Sequence, residues 1–333
     1  MKAKIFIFIT IALLLTSCQS KADSTAQTES GASVNAEPDK LRIVMSYRPD
    51  VQFAPFYVAD SSGFFEDNNL DVVFEHLAES ESVQLVAANE IQFAVVSGEQ
   101  VLLARAQNLP VVYVMAWWQD YPIAVAAPGD GEIKTPADLV GKHIGFPGVY
   151  GASYIGLRAL LGANGIEEAD VTLDPIGFAQ AEALYQGTVD AAVVYANNEP
   201  VQLEAQDFPV TVMPVADYVH LPSNGLITNE KTLSENPDLV RRMVQAILLG
   251  IEDTIENPDE AYEIAKEYVE GLAEADENIQ RKVLAESIKY WDADPLGYSS
   301  KEAWKNMQAI LLELGFLHES VDLNQAFSND YLP

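Results

Sequence analysis

Aromatic and amide side chains collect in five stretches of the sequence that contain no lysine or arginine. The five stretches are residues 93–100, 117–127, 146–157, 195–203 and 223–229. A site for a sulfonate, nitrate or phosphate needs a guanidinium, an ammonium or several converging N–H groups. Aromatic rings instead stack on flat rings, while amides and carboxylates form hydrogen bonds with ring edges. The stretches therefore predict a pocket for a flat, neutral, nitrogen-rich ring, with Arg48 as the single nearby cation.

The candidate ligand contacts combine these stretches with the loop after the first predicted strand. They are Tyr47, Phe53, Ser97, Gly98, Glu99, Trp117, Trp118, Tyr121, Tyr150, Ser153, Tyr154, Tyr195, Asn197, Glu199 and Asn224. Some of these residues have a second interpretation. If the strand before Trp117 and Trp118 continues, the two indoles point to opposite sides and one belongs to the core. Glu99 and Glu199 also suit the first turn of a helix, where a negative charge complements the helix dipole.

The elements that position these residues alternate between short apolar strands and helices, which favours an α/β fold with mixed, mostly parallel sheets and helices on both faces. A strand at 143–146 leads through a Pro/Gly turn into a helix from about residue 153, and such a junction forms a binding edge of an open sheet. The strand end at 94–99 resembles the strand end at 192–199, each followed by a glutamate. Two lobes built alike would face each other across a cleft.

The N-terminus has the pattern of a targeting signal. Residues 5–15 form an apolar run too short to span a bilayer, and it ends in Leu-Thr-Ser-Cys, which resembles the bacterial lipobox. Cys18 is the only cysteine of the chain, so we expect it to carry the lipid, with no disulfide in the fold. Residues 19–40 contain many small polar side chains and no aromatic one, and this predicts a flexible linker.

The remaining length, about three hundred residues, predicts two lobes. We expect lobe 1 to comprise 41–127 and 219–333, with the helical C-terminal region packed on it, and lobe 2 to comprise 128–218. The formal net charge of −31 disfavours nucleic acid as a partner. No Ser/His/Asp or metal-ligand spacing occurs, and we expect no metal and no cofactor.

Several motifs together resemble a known family. The motifs are Phe53 to Ala59, Gly63-Phe64-Phe65, Leu70-Asp71-Val72, Thr135 to Lys142 and the strand-end Glu199. Over residues 41–315 the chain resembles ABC-transporter substrate-binding lipoproteins of the thiamine-pyrimidine/alkanesulfonate-binding group. Two stretches, 83–100 and 148–156, are similar to riboflavin-transport binding proteins of that group. The resemblance implies a two-lobed periplasmic-binding-protein fold (type II) with a hinge that closes over a ligand.

The same resemblance implies an extracytoplasmic lipoprotein that is anchored to the cell membrane. As a monomer, it would bind a small vitamin ligand and deliver it to an ABC permease. The seven tyrosines and tryptophans among the candidates exceed what one pyrimidine ring would use, so riboflavin is the expected ligand. A thiamine pyrimidine precursor, formylaminopyrimidine or hydroxymethylpyrimidine, is the alternative. Relatives in fungi and plants synthesise the thiamine pyrimidine, but that reaction would need a reactive histidine and a cysteine-rich motif. The only cysteine of this chain, Cys18, lies in the lipobox. We therefore expect a binding protein and not an enzyme.

Overall fold

The computed structural model describes residues 37–333. The predicted signal peptide, the lipobox and most of the linker lie outside the described residues. The first strand begins at Asp39, so the predicted linker, which ran to residue 40, ends two residues too late. None of the helices within 37–333 has the length and apolar character needed to cross a bilayer.

Ten strands make up the two sheets of the described chain. They are β1 (Asp39–Ser46), β2 (Leu70–Leu77), β3 (Phe93–Val96), β4 (Val111–Ala116), β5 (Ile123–Pro128), β6 (His143–Phe146), β7 (Thr172–Pro175), β8 (Ala191–Tyr195), β9 (Val210–Pro214) and β10 (Gly225–Asn229). One sheet has the order β2-β1-β3-β10-β4 and the other β7-β6-β8-β5-β9. In each sheet four strands run in the same direction, and one antiparallel strand, β10 or β5, lies between the last two of them. The predicted α/β class with mixed sheets is confirmed.

Thirteen α-helices cover these sheets in the described residues. They are α1 (Ala54–Ser61), α2 (Phe64–Asp67), α3 (Glu79–Ala87), α4 (Gly98–Ala106), α5 (Gly151–Ala163), α6 (Gln180–Tyr185), α7 (Glu199–Glu204), α8 (Glu230–Glu235), α9 (Pro237–Glu256), α10 (Pro258–Tyr268), α11 (Glu277–Trp291), α12 (Lys301–Glu313) and α13 (Leu323–Ala326). We call the β2-β1-β3-β10-β4 sheet with its helices the first lobe, and the other sheet with its helices the second lobe. Two crossing segments, residues 117–122 and 215–224, join them.

The predicted boundary after residue 127 is wrong, because β5 pairs antiparallel with β8 and β9 and belongs to the second lobe. The chain therefore leaves the first lobe before Ile123. Every residue of β5 except Pro128 is buried, and a continuous apolar strand fits the centre of either sheet equally well. Its pattern therefore predicts a strand without indicating which sheet holds it.

The C-terminal helices pack as predicted for α9 and α10, which both lie against α1 of the first lobe. Two later helices also reach the second lobe. Helix α12 contacts α4 of the first lobe and α5 of the second. Helix α11 contacts α7 of the second lobe, where the Lys282 ammonium lies 2.5 Å from the Glu204 carboxylate. The lobes are thus held together on both sides of the crossing segments.

Candidate functional site

A hydroxyl and two carboxyls meet at the edge of the first sheet. Ser97 follows β3, Glu79 opens α3 after β2, and Glu99 lies in the first turn of α4. The Ser97 hydroxyl oxygen is 2.7 Å from Glu79 Oε2 and 2.5 Å from Glu99 Oε1. The Ser97 backbone N–H donates to Glu79 Oε1 at 2.9 Å, and the Asn224 amide donates to the same oxygen at 3.4 Å. We call Glu79, Ser97 and Glu99 the acidic floor.

Burial changes the proton affinity of the acidic floor. Glu99 has no exposed surface, and burial together with the charge of Glu79 raises the pKa of Glu99 to about 8. Burial also raises the pKa of Glu79, although its hydrogen bonds to Ser97 oppose that change. Two adjacent carboxyls removed from water do not both ionise near neutral pH. The acidic floor therefore carries about one negative charge.

Two tyrosines lie near the acidic floor. Tyr121, in the first crossing segment, donates its hydroxyl hydrogen bond to the carbonyl of Ala152 at the start of α5, with an O···O distance of 3.1 Å. Tyr195 ends β8 of the second lobe. Burial raises the pKa of both phenols, and the nearby charges of Glu79 and Glu99 raise it further. The structure thus brings Tyr121, Tyr195 and the acidic floor together between the lobes.

Tyr47 and Glu199 extend this group toward solvent. Tyr47 has a φ of 70°, a left-handed conformation that side chains other than glycine rarely adopt and that often marks functional positions. Its pKa is raised by burial and, more weakly, by the charge of Glu199. Glu199 begins α7, and its carboxylate accepts the backbone N–H of Tyr195 at 2.9 Å. Burial raises the pKa of Glu199 above its usual range.

The predicted indoles and Phe53 lie in the interior of the first lobe. The Trp117 ring stacks on Phe53 with centroids 5.1 Å apart, and the Trp291 ring lies 6.0 Å from Trp117. Trp118 packs edge-on against both indoles and is 1% exposed. Both indoles, which were candidate ligand contacts, are therefore buried in the core of the first lobe. The alternative in which a continuing strand sends them to opposite sides does not apply, because β4 ends at Ala116.

Three predicted residues on α5 and its preceding turn form no hydrogen bond with the acidic floor in residues 37–333. Tyr150 is 59% exposed at the N-terminus of the helix, and Ser153 is half-buried in the first turn. Tyr154 donates to the Glu168 carboxylate at 2.8 Å and packs against the Phe316 ring. Tyr154 therefore makes contacts within and beside the second lobe, on a different side of α5 from Tyr121.

The remaining predicted residues have structural partners. Gly98 lies against the second crossing segment, where a Cβ would stand 2.7 Å from the Pro222 carbonyl oxygen. The Asn197 amide of the second lobe donates to the Ser287 hydroxyl on α11 at 2.9 Å, while its Oδ1 has no partner among the described residues. The Asn224 carbonyl accepts the backbone N–H groups that follow β4. Gly98 and Asn224 shape the region around the acidic floor, and Asn197 links the lobes.

Glu79 was not among the sequence-predicted site residues. It follows β2 after a single residue, Ala78, so it lies at the same carboxyl edge of the sheet as Ser97. Carboxyl ends of parallel strands meet at one edge of a sheet, so this rule makes Glu79 a candidate, although the rule does not tell which strand ends lie close together. Within residues 37–333 no group of three or more His, Cys, Asp or Glu side chains could hold a metal ion.

Two α/β lobes with the acidic floor, Tyr121 and Tyr195 between them have the architecture of a class of ligand-binding proteins. The chain belongs to the NMT1/THI5-like family, whose pattern matches residues 50–261. It is similar to the riboflavin-binding protein RibY of Chloroflexus aurantiacus, with 38% identity over 98% of this chain and 96% of RibY. It is 27% identical to the formylaminopyrimidine-binding protein of Halalkalibacterium halodurans over 98% of both chains.

Solved structures support the same architecture. The periplasmic aliphatic sulphonate-binding protein SsuA of Escherichia coli superposes with a TM-score of 0.71, covering 86% of this chain and 91% of SsuA at 17% identity. The predicted periplasmic-binding-protein fold is thereby confirmed.

Proposed function

We propose that this protein is the extracytoplasmic solute-binding component of an ABC importer and that its ligand is riboflavin. The observation that carries the proposal is the meeting of Tyr121 and Tyr195 with the acidic floor between the lobes. Phenol rings supply stacking surface for a flat ring, and buried polar oxygens fix its orientation. The similarity to RibY over nearly the whole chain supports the same ligand.

The charge of this region argues against an anionic ligand. Glu79, Glu99 and Glu199 all act on Tyr195, and each of these charges raises the pKa of that phenol. A sulfonate placed there would be repelled by the negative charge of the carboxyls. We therefore propose that the shared fold with SsuA does not extend to a shared ligand class.

A thiamine pyrimidine precursor is the second candidate, and the 27% identical relative favours it. It is also a flat ring with N–H donors, so the acidic floor would suit it. It offers a single ring for stacking and no polyhydroxylated chain. Asn197, whose Oδ1 is buried without a partner, would suit a ribityl hydroxyl. On these grounds we place riboflavin first.

Titration of the purified protein with riboflavin and with formylaminopyrimidine in parallel tests the proposal. We expect riboflavin to bind with quenching of its fluorescence, because stacked phenols quench flavins. Mass spectrometry of the released ligand should return unchanged riboflavin, because a binding protein, unlike an enzyme, does not alter its ligand chemically. If formylaminopyrimidine binds at micromolar concentration or below while riboflavin causes no quenching, the pyrimidine is the ligand.

We also propose that the protein is a monomer held at the membrane by lipid on Cys18, from where it delivers ligand to the permease. A lipobox cysteine carries more than one acyl chain, and two chains anchor a protein stably. Changing Cys18→Ala should therefore leave the protein unprocessed or release it from the membrane. Fractionation of cells followed by intact mass measurement checks this, with Ser20→Ala as the control. Normal processing and membrane attachment of the Cys18→Ala variant would contradict the lipid anchor.

A further inference from the structure

The acidic floor contains two short contacts to a hydroxyl that has one proton. Ser97 Oγ lies 2.7 Å from Glu79 Oε2 and 2.5 Å from Glu99 Oε1. Both distances require a proton between the oxygens, yet the hydroxyl can donate only once. The second proton must therefore belong to one of the two carboxyls. The geometry alone predicts one neutral and one ionised glutamate.

The surroundings identify which carboxyl is ionised. Glu79 accepts the Ser97 hydroxyl on one oxygen, and on the other it accepts the Ser97 backbone N–H and the Asn224 amide. Several donors stabilise a carboxylate, so Glu79 holds the negative charge. Glu99 then holds the extra proton on Oε1 and donates it to Ser97 Oγ. The raised pKa of Glu99, about 8, agrees with this assignment.

This arrangement leaves Glu99 Oε2 as a carbonyl-type acceptor. It is buried, and no donor among the described residues meets hydrogen-bond geometry with it, although the Gln100 side chain is close enough to lower the pKa of Glu99. Tyr121 and Tyr195, whose rings we propose contact the ligand, lie close enough to Glu99 for its charge to raise the pKa of both phenols. A buried acceptor without a partner destabilises the protein, and a ligand that supplies a donor removes that cost.

We propose that Glu99, kept neutral by the chain of hydrogen bonds through Ser97 to Glu79, accepts a hydrogen bond on Oε2 from an imide-type N–H of the ligand ring. This inference rests on the proposed function, since riboflavin carries one such N–H on its ring, at N3. It gives Glu99 a role in specificity: a ring whose N–H is replaced by a methyl group leaves Oε2 unpaired and meets a steric clash. No charged group is required of the ligand.

A comparison of riboflavin with 3-methylriboflavin tests this contact. The wild-type protein should bind 3-methylriboflavin about 10- to 100-fold more weakly, the effect of leaving a buried acceptor unpaired. Glu99→Met keeps a similar volume and removes the acceptor. In that variant riboflavin should bind more weakly by a similar factor, and the preference for riboflavin over its methyl derivative should disappear. Equal binding of the two flavins by the wild-type protein would overturn the proposal.

The pH dependence of riboflavin binding tests the protonation state. Above pH 8 Glu99 loses its proton in the free protein, and an ionised Oε2 accepts the ring N–H more strongly than a neutral one, so the contact lowers the pKa of Glu99 in the complex and the dissociation constant falls. The titrating groups that face Glu99 are Glu79 on α3, Tyr121 in the crossing segment and Tyr195 on β8. Both phenols keep their protons in this range because their pKa is raised. A dissociation constant that stays constant from pH 6 to 9.5 would show that Glu99 is not the proton carrier.

Glu99→Gln separates the protein's titration from that of the flavin itself. The glutamine amide donates to Ser97 and its oxygen takes the place of Oε2, so the variant mimics the neutral acid but cannot ionise. Its dissociation constant should lose the fall above pH 8. Glu81→Gln, an exposed change on α3, is the matched control and should keep the wild-type pH profile. An unchanged profile in Glu99→Gln contradicts the inference, whereas failure of riboflavin to bind the wild-type protein at any pH contradicts the proposed function instead.

Discussion

Replacing Gly250 by alanine should lower the free energy of unfolding by about 3 kcal/mol, at the upper end of the effect of overpacking a core. Gly250 lies in the middle of α9, where that helix crosses α1. A Cβ at this position would lie 2.2 Å from the Pro55 carbonyl oxygen and 2.8 Å from the Ala59 Cβ. The obstacle includes backbone, so the two helices must move apart, and the surrounding packing resists that movement.

Gly162→Ala is the matched control, because Gly162 also lies in a helix, α5, but no atom stands within 4 Å of its added Cβ. That variant should gain about 0.5–1 kcal/mol, as expected when a glycine in an unstrained helical position becomes alanine. Urea denaturation followed by circular dichroism measures both. Similar changes in the two variants would show that helix propensity, and not the approach of α9 to α1, decides the outcome.

Much of the fold could be predicted from local sequence signals. Asn236 followed by Pro237 marks the start of α9, since an asparagine cap and a proline in the first turn both favour helix initiation, and the Asn236 side chain accepts the Leu239 N–H. The central strands β3 and β8 are short apolar runs that are buried almost throughout. The similarity between these two strand ends also placed Glu99 and Glu199 in the first turns of α4 and α7.

What could not be predicted depended on contacts between distant segments. The sequence around β5 indicates a strand, but only its pairing with β8 and β9 assigns it to the second lobe. Glu79 joins Ser97 because β1 lies between β2 and β3, an order that hydrophobic periodicity does not encode. The candidate site could be predicted as a set of strand ends, while the choice of side chains that meet there required the three-dimensional arrangement.

Trp117 follows a predicted strand end, but the structure places its side chain in the core, and this placement has a measurable consequence. Trp117→Ala should lower the free energy of unfolding by about 3–5 kcal/mol, the usual effect of removing a large aromatic side chain from a core. The indole is 2% exposed and contacts Phe53, Phe56 and Trp291. Thermal unfolding monitored by circular dichroism measures the loss. Tyr150→Ala, at a position 59% exposed, should stay within about 0.5 kcal/mol of the wild type.

A conservative variant separates packing from ligand contact at Trp117. Trp117→Phe keeps an aromatic ring against Phe53 and should recover more than half of the stability lost in the alanine variant, because most of the buried apolar area remains. If Trp117 acts in the core, the riboflavin affinity of this folded variant should stay close to that of the wild type. A large loss of affinity with stability restored would place the indole against the ligand. The interior of the first lobe would then open in the bound state, because in this structure Phe53 and Trp291 occupy both sides of the ring.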